Sequence, residues 1–399
     1  MSCLPPQRNI DFLSRFVSKR VGFRFAGHEL EFLLSHSLFS SYDIDRGTKL
    51  LIRTVAREIQ LSPTAAILDV GCGAGILGAC LKKANADRNV ILQDRDALAC
   101  EFTKANLALN RLEGSVLGGL ALEGMTDRLF DLVISNLPAK AGQPVLRDFF
   151  ARVPALLTEK GVAACALVSP LEGFAREAIL AAGSPLLLTQ TTKTHAILFF
   201  GKAELRPSAD LFKVYIRGSH AFQACDIGYS LTTVHGLPDF DTISYQCALA
   251  QEATRGLAVA DRWLCWNPGQ GHLPVYLASW NKHAGLALAS RDILSLKISA
   301  LNLRQQGMEI TDEDLLHVAS LDHVSGAYDF VALLPTGDAH AWQGALLEQC
   351  AELLEPKGRA LVSAKSSDVY RILAANRSFT VEHDRKYRGL RCVLLRRKR

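Results

Sequence analysis

Nowhere in this sequence do 18 apolar residues run without interruption, no two cysteines are spaced C-x-x-C, and no low-complexity stretch divides the chain. The first absence leaves no candidate for a membrane-spanning helix, so no membrane partner is expected. The second argues against a zinc ribbon and, with ten scattered cysteines, against a disulfide framework. The thiols are expected to be buried or semi-buried in a reducing compartment. The eleven histidines show no metal-ligand spacing: His28, His36 and His195 are isolated, and His272 sits in a glycine-containing turn. No metal is expected, and none of these histidines is given a catalytic role. The opening residues, MSCLPPQRNIDFLSRF, lack the apolar centre and small-residue cleavage site of a signal peptide, so a cytoplasmic location is expected. A large charge surplus is missing too. The net charge of +5 does not establish a nucleic-acid partner, although eight of the 45 basic residues fall in the last fifteen positions, RKYRGLRCVLLRRKR. That cluster suits either a solvated terminal strand or a phosphate-binding platform.

What is present is an alternation. Strand-like runs at AAILDV, NVILQ, GSVLGG, FDLVIS, GVAACALV and THAILFF are separated by amphipathic stretches such as DALACEFTKANLALN. The expected class is α/β with a mainly parallel sheet. The same order then recurs. Shifting the chain by 196 aligns residues 45–107 with 241–303 without a gap, and 14 of those 63 positions are identical. Average composition would give roughly 4. Asp45 pairs with Asp241, Gly73 with Gly269, Gly75 with Gly271, Asp96 with Asp292 and Asn106 with Asn302. Farther on, Asp131 matches Asp329 at an offset of 198. A repeat of this length is a duplicated domain, and the boundary is placed in the polar stretch GKAELRPSAD, giving domains at 1–203 and 204–399.

Within the first copy, AILDVGCGAGILG (residues 66–78) is a strand, a glycine-rich turn and a helix. Such a turn lets backbone approach a ligand, and the helix amino terminus favours electronegative groups. Gly73, Gly75 and Gly78 also satisfy G-x-G-x-x-G, with Asp94 following Gly73 by 21 residues, so a dinucleotide fold is compatible with the glycines alone. Read from Asp69, the stretch is D-x-G-x-G-x-G and resembles motif I of the S-adenosylmethionine-dependent methyltransferases with a Rossmann-like fold. The resemblance implies that Asp69 organises the loop and meets the methionine amino group, that Gly71 and Gly73 pass beneath the cofactor, and that Asp94 holds the ribose hydroxyls. A helix N-cap shared with Asp96 is the plain alternative for Asp94. At the end of the third strand, where many of these enzymes carry an acidic residue for the adenine amino group, SVLGGLALEG offers only Gly118 and Gly119 near that point, so adenine recognition by backbone groups is expected.

The fourth strand ends in ISNLPAKAG. In the amine-methylating branch of this family the corresponding place carries Asn-Pro-Pro-aromatic; Asn136 and Pro138 match, Leu137 and Ala139 do not. An asparagine oxygen and a backbone carbonyl can accept the two hydrogens of a planar amine and aim its lone pair. The resemblance thus implies Asn136 and Pro138 as catalytic residues, with Leu137 and Lys140 touching the substrate. Ala139 supplies no ring to stack on a base, a role left to Phe149, Phe150 or Tyr42. Upstream, HSLFSSYDIDRGTKLLI, with Phe39, Asp45, Gly47 and Thr48, is similar to the segment preceding motif I in the "methyltransferase small" group, which includes tandem-domain ribosomal RNA guanine-N2 methyltransferases. Asp45 and Thr48 equally suit a helix cap.

In the second copy Asp69 becomes Cys265, Gly71 becomes Asn267, Asp94 becomes Ser290, and VISNLP becomes VALLP. The expected architecture is therefore two tandem Rossmann-like methyltransferase domains with seven-stranded sheets, the second degenerate, serving in substrate binding or structure, and with Trp266 a candidate to fill the vacated pocket. In the resembling tandem enzymes the degenerate copy comes first. The expected activity is S-adenosylmethionine-dependent N-methylation of an exocyclic amine in RNA, guanine N2 of rRNA favoured. A methyltransferase for a small molecule or protein, a non-catalytic RNA-binding or scaffold protein, and a nicotinamide oxidoreductase are the alternatives. Oligomeric state is not legible.

Overall fold

The computed structural model describes residues 12–38, 43–204, 210–257, 261–281, 284–336 and 344–398. The chain divides into two compact units. One is Phe16–Tyr215; the other is Ile216–Arg399 together with the amino-terminal residues through Arg15. In that second unit the Phe12 ring meets His323 edge-on at 4.6 Å and Arg15 pairs with Asp322.

The first unit opens with a hairpin, β1 (Lys19–Phe25) and β2 (His28–Leu34), joined through Ala26 and Gly27. Helix α1 (Arg46–Glu58) follows, and then strands and helices alternate: β3 (Ala66–Val70), α2 (Ile76–Ala84), β4 (Asn89–Asp94), α3 (Ala97–Leu109), β5 (Ser115–Gly118), β6 (Phe130–Asn136), α4 (Gln143–Arg152), β7 (Leu157–Val168), α5 (Glu172–Ala181), β8 (Leu186–Thr191) and β9 (His195–Phe200). The sheet order is β5-β4-β3-β6-β7-β9-β8, parallel except for β9, which runs against both neighbours. Its central strands are buried on both faces. Ile67 enters a cluster with Leu51, Val55 and Leu77, whereas Leu68 and Val70 enter one with Leu146, Phe149 and Phe150. Two-sided burial is what continuous apolar strands such as AILDV and FDLVIS require, since helices must cover both faces of a parallel sheet.

The second unit repeats this plan. A hairpin, β10 (Ile216–Ala224) and β11 (Ile227–Val234), precedes α6 (Tyr245–Ala253), β12 (Arg262–Trp266), α7 (His272–Ala278), β13 (Gly285–Ser290), α8 (Ile293–Gln305), β14 (Leu315–His317), β15 (Tyr328–Leu333), α9 (Leu346–Leu353), β16 (Leu354–Lys365), α10 (Ser366–Ala374), β17 (Phe379–Tyr387) and β18 (Leu390–Arg397). The order β14-β13-β12-β15-β16-β18-β17 is the first sheet's order, strand for strand.

Three matched residues show why the duplication stays legible. Asn106 on α3 accepts from Leu33 N (2.7 Å) and donates to the carbonyls of Leu33 (3.1 Å) and Ala74 (2.9 Å), tying the hairpin to the glycine turn. Asn302 on α8 makes the same three bonds with Thr232 and Gln270, each at 2.8 Å. Asp131 accepts from Ala66 N at 2.9 Å and Asp329 from Arg262 N at 3.0 Å, each holding the first residue of its central strand. Thr103 and its counterpart Ser299 both donate to the carbonyl of the loop glycine, Gly73 or Gly269. These side chains fasten the scaffold and persist in both copies, whereas Asp69 and Asp94, which the second copy lacks, lie at the carboxyl ends of β3 and β4, where open α/β sheets bind ligands.

Candidate active site

The turn after β3 is built by glycines in left-handed backbone. Gly71, Gly73 and Gly75 have φ of +70°, +58° and +77°. A side chain on Gly71 or Gly73 would meet nothing within 4 Å, so these two line open space, whereas one on Gly75 would strike Thr103 at 2.8 Å. The loop is latched to β4: Gly71 N and Cys72 N donate to Gln93 O at 2.8 and 3.0 Å, and Gly73 N donates to Asp94 Oδ2 at 2.8 Å. Asp94 Oδ1 accepts from Asp96 N at 2.9 Å, and Asp96 caps α3 through Leu98 N at 2.8 Å. The cap thus belongs to Asp96, and Asp94 bridges the glycine turn and the end of β4. Each carboxylate oxygen keeps a lone pair for a further donor.

Asp69 is fully buried at the carboxyl end of β3. Its Oδ2 accepts from Gly78 N, in the first turn of α2, at 2.8 Å. Its Oδ1 is buried without a partner. Such an atom has lost water and gained nothing, an arrangement that suits a donor brought by a ligand. Burial raises the Asp69 carboxyl to about 7 despite the Gly78 bond, and the charge of Asp94 adds to the rise. Asp94 is raised to about 6, chiefly by burial.

At the end of β6, Asn136 is half-buried and its amide nitrogen donates both hydrogens, to Asp45 Oδ2 at 2.9 Å and to Thr48 Oγ1 at 3.0 Å. A carboxylate can only accept, so the NH2 side must face Asp45 and Asn136 Oδ1 must point away. Among the described residues that oxygen and the Leu137 carbonyl have no donor, whereas the Pro138 carbonyl accepts from Ala141 N at 3.1 Å. Leu137 is itself held by its N–H to Ala166 O at 2.8 Å, and its side chain is buried. Asp45 also caps α1, accepting from Gly47 N at 2.7 Å and Thr48 N at 3.2 Å. A Cβ on Gly47 would stand 2.9 Å from both Asp45 Oδ2 and the His195 ring, which explains a glycine there. Sequence reasoning offered the cap as a separate alternative for Asp45 and Thr48; the structure shows one carboxylate serving both the cap and Asn136. The signal was the D-x-G-T spacing, but its partner lies 91 residues away.

Pro138, Ala139 and Lys140 are exposed, the last in a short 3-10 turn from Ala139 to Ala141. Phe149 and Phe150 are buried in the core, Phe150 edge-on to Phe200 at 5.8 Å, so neither can stack on a base as expected. Tyr42 and Phe39 lie outside the described residues. After β5 the backbone donors are already engaged: Gly119 N with Asp94 O (3.0 Å), Leu120 N with Glu123 Oε2 (3.0 Å) and Leu122 N with Gln93 Oε1 (2.9 Å). The Gly119 N–H is therefore not available as a donor to an adenine.

Residues 29–172 match the family model of the methyltransferase small domain. The chain is 39% identical over 117 residues to the ribosomal RNA small subunit methyltransferase C of Actinobacillus succinogenes, covering 29% of this chain and 34% of that protein. It is 36% identical over 115 residues to the protein of that name from Serratia proteamaculans, covering 29% and 32%. The chain is thus matched over about a third of the length of these curated relatives. Over the whole chain, the solved T. thermophilus 16S rRNA N2 G1207 methyltransferase, determined with AdoMet and guanosine, superposes with a TM-score of 0.67 at 15% identity, covering 95% of this chain and 98% of that one. The likeness is one of fold: this chain folds as that solved protein does.

The corresponding place in the second unit has other chemistry. Asn267 keeps the left-handed backbone of Gly71, at φ +55°, and its N–H reaches Ala289 O at 2.8 Å, but it brings a side chain. That side chain accepts from Ser290 Oγ at 3.3 Å, so the two residues standing at the Gly71 and Asp94 positions satisfy each other. Cys265 stands where Asp69 does, and Pro274 where Gly78 does. Proline has no N–H, so the bond that holds Asp69 has lost both its acceptor and its donor. Trp266 packs with Leu264, Leu321 and Val331 in the core, as an ordinary strand residue, instead of filling a vacated pocket. Gln246 donates to the carbonyls of Pro335 (3.1 Å) and Ser363 (2.6 Å), closing the strand ends. Among the described residues no group of His, Cys, Asp and Glu could hold a metal, and no helix is long and apolar enough to cross a membrane.

Proposed function

We infer that the first domain binds S-adenosylmethionine and methylates an exocyclic amine of RNA, guanine N2 of ribosomal RNA being the favoured target. The observation that carries this reading is the fixed orientation of Asn136, whose Oδ1 and the neighbouring Leu137 carbonyl are, among the described residues, two acceptors without donors at the end of β6. A planar amine has two hydrogens to give, and two fixed acceptors turn its lone pair in one direction. Pro138 stiffens the backbone that presents the Leu137 carbonyl, and exposed Lys140 is placed to meet a phosphate. The cofactor fits the residues present: the orphaned Asp69 Oδ1 takes its ammonium group, the open turn at Gly71 and Gly73 admits its backbone approach, and Asp94 has lone pairs for ribose hydroxyls. When bound, S-adenosylmethionine supplies an electrophilic methyl group, so the chain needs only to position the amine and exclude water.

The relatives named as rRNA methyltransferases support RNA as the substrate class. Ala139, where an aromatic ring would stack on a base, supports a second reading, a protein or small-molecule amine. The second domain, with no carboxylate at 265 or 290, serves in substrate binding or structure, and we place the chain in the cytoplasm. Calorimetry with S-adenosylmethionine tests the core of this account: one site per chain, abolished in Asp94→Ala, is expected, and no binding by the wild type ends it.

A further inference from the structure

The basic carboxyl terminus is not uniformly available to a polyanion. Arg391 is paired with Asp384 at 2.6 Å, Arg396 with Glu382 at 3.3 Å and Arg385 with Glu252, while Arg397 and Lys398 donate to the carbonyls of Leu354 and Arg377. In that stretch, among the described residues, Arg388 makes no ion pair with a carboxylate, and Lys386 has the charge of Asp384 nearby without a salt bridge to it. Lys386 and Arg388 flank Tyr387 at the β17–β18 turn, where Tyr387 faces Leu390 across a two-residue loop. Arg388 has φ +46° and Gly389 φ +80°, as a type I′ turn demands. Asparagine or glycine takes the first of those positions without strain; arginine does not.

The guanidinium of Arg388 lies 4.8 Å from the centre of the Tyr245 ring and 5.4 Å from that of Tyr387, and it donates to the Tyr245 hydroxyl. The two rings meet edge-on at 5.4 Å and are 45% and 44% exposed. Because Lys365 pairs with Leu390 and Ser366 N donates to Gly389 O at 2.8 Å, this cluster stands at the carboxyl end of the second sheet, the end at which the first sheet carries Asn136. Tyr245 occupies the place of Lys49 in the duplication. In the first unit the strand matching β17 is LLLTQT, without charge.

We propose that Tyr245, Tyr387 and Arg388 form a base-stacking subsite for single-stranded RNA on the degenerate domain. Exposed tyrosine faces accept unpaired bases of any sequence, and the guanidinium of Arg388, which makes no ion pair among the described residues, answers an adjoining phosphate. A duplex, with its bases stacked inside, gives these rings no face. The proposal rests on RNA being the substrate class, and its test does not use methyl transfer.

Binding of fluorescein-labelled A12 and of a 12-base-pair RNA duplex to the full chain is measured by anisotropy at several salt concentrations. The wild type is expected to favour A12. Tyr245→Ala with Tyr387→Ala should lower its affinity roughly 5- to 150-fold, with S-adenosylmethionine affinity unchanged. Arg388→Gly relieves the strained turn, so it should keep or raise the melting temperature while weakening A12 binding and reducing the salt slope by about 0.7. A merely structural latch gives the reverse: a lower melting temperature and unaltered A12 binding. That result, or a wild type that does not bind A12, overturns the subsite; failure of S-adenosylmethionine binding alone would instead remove the catalytic reading and leave this one standing.

Discussion

A single carboxylate oxygen, Asp45 Oδ2, accepts from Gly47 N, Thr48 N and Asn136 Nδ2, and through the last of these it decides which way the Asn136 amide faces. Thr48→Val keeps the Asp45 cap but removes one of the two acceptors of that amide. Steady-state methylation should then show kcat lower by roughly 10- to 100-fold, with S-adenosylmethionine affinity and melting temperature close to wild type, and Thr48→Ser should restore it. The carboxyls of Asp69 and Asp94, raised to about 7 and about 6, set a pH dependence. Both are raised above their unfolded values, so between about pH 4 and 7 the ligand-free folded chain binds more protons than the unfolded one and loses stability as pH rises. A cationic ligand needs them charged. Affinity for S-adenosylmethionine should therefore fall as pH drops from 7.5 to 5.5, and calorimetry in buffers of different ionisation enthalpy should detect protons released on binding near pH 6.5. A flat profile would contradict these assignments.

At the scale of elements, the hairpins are fastened by asparagines. Asn106→Ala leaves three backbone groups without partners and should cost about 2–4 kcal/mol, read as a lower denaturant midpoint for the first domain; Asn302→Ala should do the same for the second. Six strands of the first sheet were legible because buried parallel strands are continuous apolar runs with glycine and asparagine at their ends. β8 was not, since LLLTQT is a half-exposed edge whose pattern resembles a loop. The β1–β2 hairpin alternates its exposed and buried residues with the period expected of strands, yet Ala26, not glycine, takes the first left-handed position of its turn. Of the site, the glycine turn, Asp94 and Asn136 were visible as spacings. The Asp45–Asn136 bond and the paired loss at Cys265 and Pro274 were not, because each joins residues that only the fold brings together.

At the scale of the whole molecule, one duplication has been spent on two outcomes: the scaffold bonds of Asn106, Asp131 and Thr103 recur in Asn302, Asp329 and Ser299, while Asp69, Asp94 and Asn136 of the first site have no like residue in the second copy. Two lost carboxylates alone lower cofactor affinity by roughly 10² to 10⁴. Restoring Asp at 265 should not rescue binding in the second domain, since Pro274 offers no N–H; the stoichiometry with S-adenosylmethionine should stay at one per chain, and a second site would contradict this account of the degenerate copy. Most direct is methyl transfer from labelled S-adenosylmethionine into ribosomal RNA by the wild type and by Asn136→Ala, with the product nucleosides separated by mass spectrometry. Label in N2-methylguanosine that disappears in Asn136→Ala is the predicted result; transfer that survives the substitution, or no transfer by the wild type, would contradict it.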